Sequence, residues 1–304
     1  MSSIAGRRCP AAHSHETVVQ SATLHHVLLL RNLVVIGLVA IVDLFAAQLG
    51  YAQTWLAPAY PSLAMLGPTK AGGAVIWSHG LSADAEDFEA PTPPFIALLR
   101  DGGWDTFRFN RMRANDTFAE SARALVQDVH RLKQQGYRRV ALVGQSFGGF
   151  LSLIGGDTSD EVDAVIATAP AAFGTYSNRY DTWRANATEL YPLLARVRRA
   201  RVMLFYFHGD EFDPGGRGER SRDILAERNL EYVVIDQPRQ LATHWAATTQ
   251  LFARLYGTCI LAFLDAIHFE PDAQCKGGTY WAAAPAPSRL AGAPLGAHLD
   301  TAAR

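Results

Sequence analysis

The stretch RVALVGQSFGGFLSLIGG, Arg139 to Gly156, decides how the rest of the chain is read. Its first five residues are an almost uninterrupted apolar run, as expected of a strand covered on both faces of a parallel sheet. The run ends in Gly144-Gln145-Ser146-Phe147-Gly148, and a helical stretch of apolar and small residues follows at once. A sharp strand-to-helix turn at that point holds the serine in a strained backbone conformation with its hydroxyl exposed. Gly144 and Gly148 omit the Cβ atoms that would collide with neighbouring backbone. This setting makes Ser146 a candidate nucleophile, where the pentapeptide alone would say little.

Outward from this stretch, short β-branched runs alternate with helical patterns. The strands expected are Ala74–Ser78, Asp105–Phe109, Arg139–Val143, Ala164–Thr168, Val202–Phe207 and Tyr232–Ile235. Helices are expected over Pro94–Leu99, Ser121–Gln135, Gly218–Arg228 and from near His244 to about Ala266. In the second of these, Ala124, Leu125, Val129 and Leu132 recur at helical spacing and mark a buried face. The alternation predicts an α/β fold: a mostly parallel sheet with helices on both faces. No internal repeat is visible, which sets solenoids and propellers aside. Between Ala172 and Arg196 an insertion carrying Tyr176, Tyr180, Trp183 and Tyr191 suggests a small helical lid. With Trp77 and Phe88 it points to an apolar acyl or alcohol pocket.

A serine hydroxyl is a weak nucleophile at neutral pH and needs a base, with a third group to orient that base. The run VMLFYF leads into His208-Gly209-Asp210-Glu211-Phe212-Asp213-Pro214, which places carboxylates at the C-terminal end of a strand, where open α/β sheets gather functional groups. Asp213 is the first candidate for the acid, because it lies in the loop proper and precedes a proline that restricts its backbone to an extended conformation. Asp210 is the second candidate, and Glu211 a distant third. His244, after the last strand and before the final helix, is the candidate base. His130 falls inside a helix, His268 and His298 lie beyond the last core element, and His208 reads as a strand-end residue supporting its turn. An oxyanion at the acyl carbon requires preorganised N–H donors. Phe147 supplies one from the turn itself. Leu81 is the expected second, in Ser78-His79-Gly80-Leu81 after the first long strand, with Gly80 free to aim it and His79 bracing the loop.

His79-Gly80 after one strand, Gly144-Gln145-Ser146-Phe147-Gly148-Gly149 after another, and Asp213 and His244 in that order resemble the α/β-hydrolase superfamily. The resemblance extends over about Ala74 to Ala266, and within it the compact size resembles dienelactone-hydrolase-like and small esterase members, although dienelactone hydrolases proper carry cysteine where this chain has Ser146. It implies a serine esterase acting through an acyl-enzyme on a small-molecule ester, without a cofactor. A peptidase or acyltransferase of the same mechanism, or a noncatalytic binding protein that kept the fold, are the alternatives. Two departures stand out: Asp213 lies four residues after Gly209 where three is commoner, and His244 lacks the glycine that often follows.

Composition narrows the class further. Of 304 residues, 49% are hydrophobic and 19% charged, too apolar for a disordered chain. A formal net charge of -1 offers no electrostatic pull toward nucleic acid or anionic membrane. No H-E-x-x-H or comparable ligand cluster suggests a metal, and no G-x-G-x-x-G or phosphate loop suggests a nucleotide. The run LVVIGLVAIV over residues 33–42 is about half the roughly 20 residues a membrane span needs. With Arg7, Arg8 and Arg31 upstream and Gly50-Tyr51-Ala52 as a cleavage site, residues 1–52 read as a signal peptide of a secreted or periplasmic bacterial protein, or else as an N-terminal anchor through residues 33–42. Residues 53–281 then form a single domain, and the Ala/Pro-rich residues 282–304 a disordered tail. No stable membrane span is expected after cleavage. Cleavage would remove Cys9 and leave Cys259 and Cys275, an even pair suited to a disulfide in an oxidising compartment.

Overall fold

Each apolar run expected as a strand is one, and the strands join in a single sheet. The computed structural model describes residues 55–81, 91–111, 117–172, 180–213, 215–265 and 275. In chain order the strands are β1 (Trp55–Pro58), β2 (Ala74–Ser78), β3 (Asp105–Asn110), β4 (Val140–Gln145), β5 (Ala164–Thr168), β6 (Arg201–Tyr206) and β7 (Tyr232–Asp236). The helices are α1 (Pro94–Asp101), α2 (Phe118–Gln134), α3 (Phe147–Thr158), α4 (Tyr180–Arg196), α5 (Arg217–Glu227) and α6 (Gln250–Asp265). The spatial order is β1-β3-β2-β4-β5-β6-β7. Every neighbouring pair is parallel except β1 with β3, where Leu56 stands opposite Phe109. The order steps outward in opposite directions from β2 and β4, and the crevice at such a switch point is where open α/β sheets place their ligands.

Alternate residues of each strand feed opposite layers. In β2, Ala74 and Ile76 join the core shared with α2, α3, α4 and α5, while Val75 and Trp77 join the core shared with α1 and α6. β4 divides in the same way, with Val140 and Leu142 on one face and Ala141 and Val143 on the other. This double covering is why the runs are continuously apolar. Trp77, expected near a pocket, is instead a core residue, packed edge-on against Phe95 with ring centroids 5.8 Å apart. Phe88 lies outside the described residues.

Two boundaries differ from the sequence reading for local reasons. β1 was not expected, since four residues ending in Pro58 carry no alternation; proline is tolerated there because the strand forms the sheet's edge. The final helix does not start at His244. A 3₁₀ turn over Ala246–Thr248 intervenes, and Thr249 begins α6 by accepting the Phe252 N–H on its hydroxyl at 3.2 Å. That postponement leaves His244 in a turn after Thr243, whose φ is +78°, rather than locked in a helix.

The insertion after Ala172 contributes α4. Its Leu190, Leu193 and Leu194 are buried against the sheet layer, while Trp183 near its start donates its indole N–H to the Phe212 carbonyl at 2.6 Å. The chain divides between Ala52 and Gln53 into two units, and all described residues belong to the second. The expected leader (1–52), Cys9, Tyr176, His268, His298 and the tail (282–304) lie outside the described residues. Among the described residues no helix is long and apolar enough to cross a membrane.

Candidate active site

β4 runs two residues further than the apolar pattern suggested, through Gly144 and Gln145, so that Ser146 stands between strand and helix. Its φ of 55° and ψ of −121° are strained for a residue with a Cβ. The surroundings enforce that conformation. Ser146 N–H donates to the Thr168 carbonyl at 3.0 Å, and the Ser146 carbonyl accepts from Phe150 and Ala171 at 3.0 and 3.1 Å. Thr168 also donates its hydroxyl to the Gly144 carbonyl at 3.1 Å. A Cβ on Gly144 would strike the Gly148 carbonyl, and one on Gly148 would strike the Ser78 carbonyl. The glycines are therefore required by close approach of three backbone segments, β2, β4 and α3.

His244 is 4% exposed and meets a carboxylate, but the carboxylate is Asp210 and not Asp213. His244 Nδ1 lies 2.9 and 3.0 Å from the two Asp210 oxygens. A carboxylate accepts, so this contact places a proton on Nδ1. Nε2 is buried and has no hydrogen-bond partner among the described residues. The backbone explains why the nearer aspartate wins. The Thr243 N–H donates to the His208 carbonyl at 2.8 Å and Ala242 bridges His208, joining the acid and histidine loops directly after β6. Gly209, at φ +67°, then turns the chain so that Asp210 faces the imidazole. Asp210 also accepts the Phe212 N–H at 2.9 Å. Asp213 lies one turn further, its N–H donating to the Asp210 carbonyl at 2.9 Å, and its carboxylate accepts from Gly215 N–H at 3.1 Å. Burial pushes the Asp213 carboxyl above the usual carboxylate range, against the pull of nearby Arg217. Pro214 restricts the backbone of Asp213, which does not determine where its side chain points.

Aromatic rings enclose the imidazole. Phe212 lies over its face with centroids 4.2 Å apart, and Trp245 meets it edge-on at 5.4 Å while remaining 51% exposed. Gln145, the variable residue before the serine, donates from Nε2 to the His244 carbonyl at 3.2 Å. A Cβ on Gly80 would stand 2.7 Å from Gln145 Oε1 and 3.5 Å from Ser146 Cβ, so the Gly80 backbone lies against Ser146.

His79 braces its own loop. Arg111 N–H donates to His79 Nε2 at 3.2 Å, and His79 Nδ1 donates to the Gly80 carbonyl at 2.8 Å. Burial, reinforced by the Arg111 charge, pushes the imidazole down to about 2, so it is neutral at physiological pH. Sequence reasoning missed Arg111, Gln145 and Phe212. Arg111 directly follows β3 and could have been found by asking of that strand's C-terminal end what was asked of β6. His208 joins through its backbone with its side chain exposed, and His130 lies on the surface beside Glu161 at 2.9 Å. Cys259 and Cys275 are both buried and placed as a disulfide pair with Cα atoms 4.9 Å apart. Among the described residues no group of three or more His, Cys, Asp or Glu side chains could hold a metal.

A parallel sheet that presents a strained serine after the central strand β4, with a carboxylate-held imidazole on the loops after β6 and β7, defines a class of α/β hydrolase folds. The chain belongs to the alpha/beta hydrolase family, whose model matches residues 75–301. Solved structures of the same fold include a monoacylglycerol lipase of Paleococcus ferrophilus, 14% identical with a TM-score of 0.51, covering 70% of this chain and 99% of that one. An acetyl ester-xyloside bifunctional hydrolase from Caldicellulosiruptor lactoaceticus is 14% identical with a TM-score of 0.50, covering 72% and 99%. An acylaminoacyl peptidase of Pyrococcus horikoshii is 13% identical with a TM-score of 0.49, covering 67% of this chain; the chain spans 40% of that peptidase. At these identities the likeness to the lipase and the bifunctional hydrolase is one of fold. No curated protein matches the chain in sequence.

Proposed function

We propose that the protein is a serine hydrolase that cleaves carboxylic esters of small molecules through an acyl-enzyme, with Ser146 as nucleophile, His244 as general base and Asp210 in the place first assigned to Asp213. The observation that carries this reading is the His244 imidazole held at Nδ1 by Asp210, with a buried, unpartnered Nε2, in a site that also contains the strained Ser146. Ser146 Oγ attacks the ester carbonyl and its proton passes to His244 Nε2. The carbonyl π pair becomes an oxyanion, received by the N–H groups of Phe147 and Leu81. As the C=O re-forms, the ester C–O bond breaks and the departing alcohol takes the proton from Nε2. Water then gives a proton to Nε2 while its oxygen attacks the acyl carbon, and collapse returns that proton to Ser146 Oγ and releases the acid. Asp210 stabilises the imidazolium in both halves and does not itself change protonation.

The buried Cys259–Cys275 pair supports maturation in an oxidising compartment, in keeping with export and cleavage behind Ala52. A fluorophosphonate probe tests both ideas together. One probe should attach to Ser146 in folded protein and none in Ser146→Ala, with ester turnover falling about 10⁶-fold in that variant. The intact mass of labelled protein recovered from its native compartment should correspond to a chain starting at Gln53 and lacking the two thiol hydrogens of Cys259 and Cys275. Labelling that persists in Ser146→Ala, or a folded wild type that neither labels nor hydrolyses p-nitrophenyl esters, overturns the enzymatic reading. A mass that includes residues 1–52 overturns export with cleavage.

A further inference from the structure

Arg111 occupies an unusual position for a guanidinium: it is 1% exposed and sits between the two backbone segments assigned as oxyanion donors. Its Nη2 donates to the carbonyls of both His79 and Gly80, at 2.5 and 2.9 Å. Its guanidinium carbon lies 5.1 Å from the centre of the Phe147 ring. That ring is fixed from its other neighbours by a parallel stack with Phe118, centroids 4.2 Å apart and planes 5° apart. One buried cation thus contacts the loop that carries Leu81 and the residue whose own N–H begins α3.

The Gly80 carbonyl matters most. It belongs to the same peptide unit as the Leu81 N–H, and in a trans peptide the two bonds point in opposite directions from one rigid plane. The Gly80 oxygen accepts from Arg111 Nη2 and from His79 Nδ1, so two donors hold the plane from behind. Gly80 has no side chain to restrict rotation of that plane, and a Cβ there would press on Gln145. Without the two donors the peptide would be free to turn. Hydrogen bonding at a peptide oxygen also polarises the N–H at the other end, making it a better donor. The charge on Arg111 strengthens that effect, because charge-assisted hydrogen bonds are the stronger kind.

We propose that Arg111 is the positioning residue of the oxyanion hole: with His79 it anchors the Gly80 carbonyl, which aims and polarises the Leu81 N–H, and through Phe147 it keeps the second donor in register with the first. In this role Arg111 acts through these two peptides and does not itself receive the oxyanion. The inference rests on the serine-hydrolase reading, and it predicts a defect confined to the stage at which negative charge has moved onto the carbonyl oxygen.

The test compares Arg111→Met, which keeps the apolar stem and removes the donors, with Arg111→Lys, which keeps the charge and one donor direction. His79→Gln perturbs the same carbonyl independently. Turnover of a p-nitrophenyl ester and of the matching thionoester is measured, along with inhibition by a phenylboronic acid, which mimics the tetrahedral adduct. Sulfur is a poor hydrogen-bond acceptor, so a working oxyanion hole favours the oxygen ester. Arg111→Met should lower kcat on the ester about 30- to 300-fold with KM within about twofold. The ester-over-thionoester preference and boronic acid affinity should fall in parallel, and Arg111→Lys should recover part of each. His79→Gln should show the same signature, less severely. A folded Arg111→Met with unchanged ester preference and boronic acid affinity overturns the proposal while leaving the hydrolase reading intact. Should Arg111→Met fail to fold, an unchanged preference in both Arg111→Lys and His79→Gln overturns it equally. A wild type that neither hydrolyses the ester nor labels at Ser146 overturns both readings.

Discussion

Asp210 and Asp213 sit three residues apart in one loop and are 2% and 3% exposed, yet they meet different partners. Asp210 accepts from the His244 imidazole and from the Phe212 backbone N–H. Asp213 accepts from Gly215 and faces a buried polar cluster, in which Arg217 lies over the Tyr206 ring and Tyr206 meets the Ser221 hydroxyl at 2.7 Å. Burial does not separate the two. The direction in which the chain leaves Gly209 does, and the partner met along that direction sets the role. A buried carboxylate beside a strand end is thus an anchor for its own loop unless a titratable group is brought to it by another segment, as His244 is by the backbone bridge at His208.

The sharpest way to break this contrast is to neutralise each aspartate in turn. Asp210→Asn should lower kcat about 10⁴-fold, because an amide nitrogen offered to Nδ1 selects the tautomer with its proton on Nε2, the wrong one for a base. If Asp213→Asn produced that loss and Asp210→Asn did not, the assignment made here would be reversed.

A second contrast concerns two buried imidazoles. His244 faces a carboxylate, whereas His79 faces Arg111, and His79 is pushed down to about 2 by burial first and the arginine second. In the unfolded chain His79 takes up a proton near its ordinary value of 6.5, whereas the folded protein refuses it until about 2. Below pH 6.5 the unfolded state therefore binds more protons, and stability from this group, complete above that pH, is lost on acidification at about 1.4 kcal/mol per pH unit. By pH 5 the loss should reach about 2 kcal/mol. Urea unfolding of wild type and His79→Gln between pH 7.5 and 5 measures it: the difference between the two should shrink by that amount as the pH falls. Parallel curves would show that His79 protonates freely in the fold.

The smallest effect expected is that of Asp213→Asn on activity. The amide oxygen can still accept from Gly215, so kcat/KM should stay within about fivefold of wild type by the ester assay. The stability change should be about 1 kcal/mol or less, because relief of a desolvated charge offsets the weakened attraction to Arg217. A larger loss of activity would mean that the Asp213 anchor also sets the Asp210 geometry.

Much of this was legible before any coordinates. Continuous apolar runs such as VMLFYF announced strands covered on both faces, and the glycines flanking Ser146 announced a turn too tight for side chains. Segments whose fate rests on distant contacts were less legible. β1 is a strand only because β3 offers it an edge, and Trp77 faces Phe95 in the core because of its parity along β2. Arg111 looked like one basic residue among many in RFNRMRA, since its neighbours are backbone carbonyls 31 and 32 residues away.

By itself the sequence determined the class of sheet, the strained position of Ser146, and the pools of candidates for base and acid, because periodicity and steric demand are local properties of the chain. Tertiary structure decided which carboxylate holds the imidazole, which histidine is pushed down to about 2, and which arginine reaches the His79 and Gly80 carbonyls. Those choices depend on the direction of side chains and peptide planes where separate loops converge. The chain turns through a positive φ at Gly209 just before Asp210, and no local pattern in the sequence records which way that turn faces.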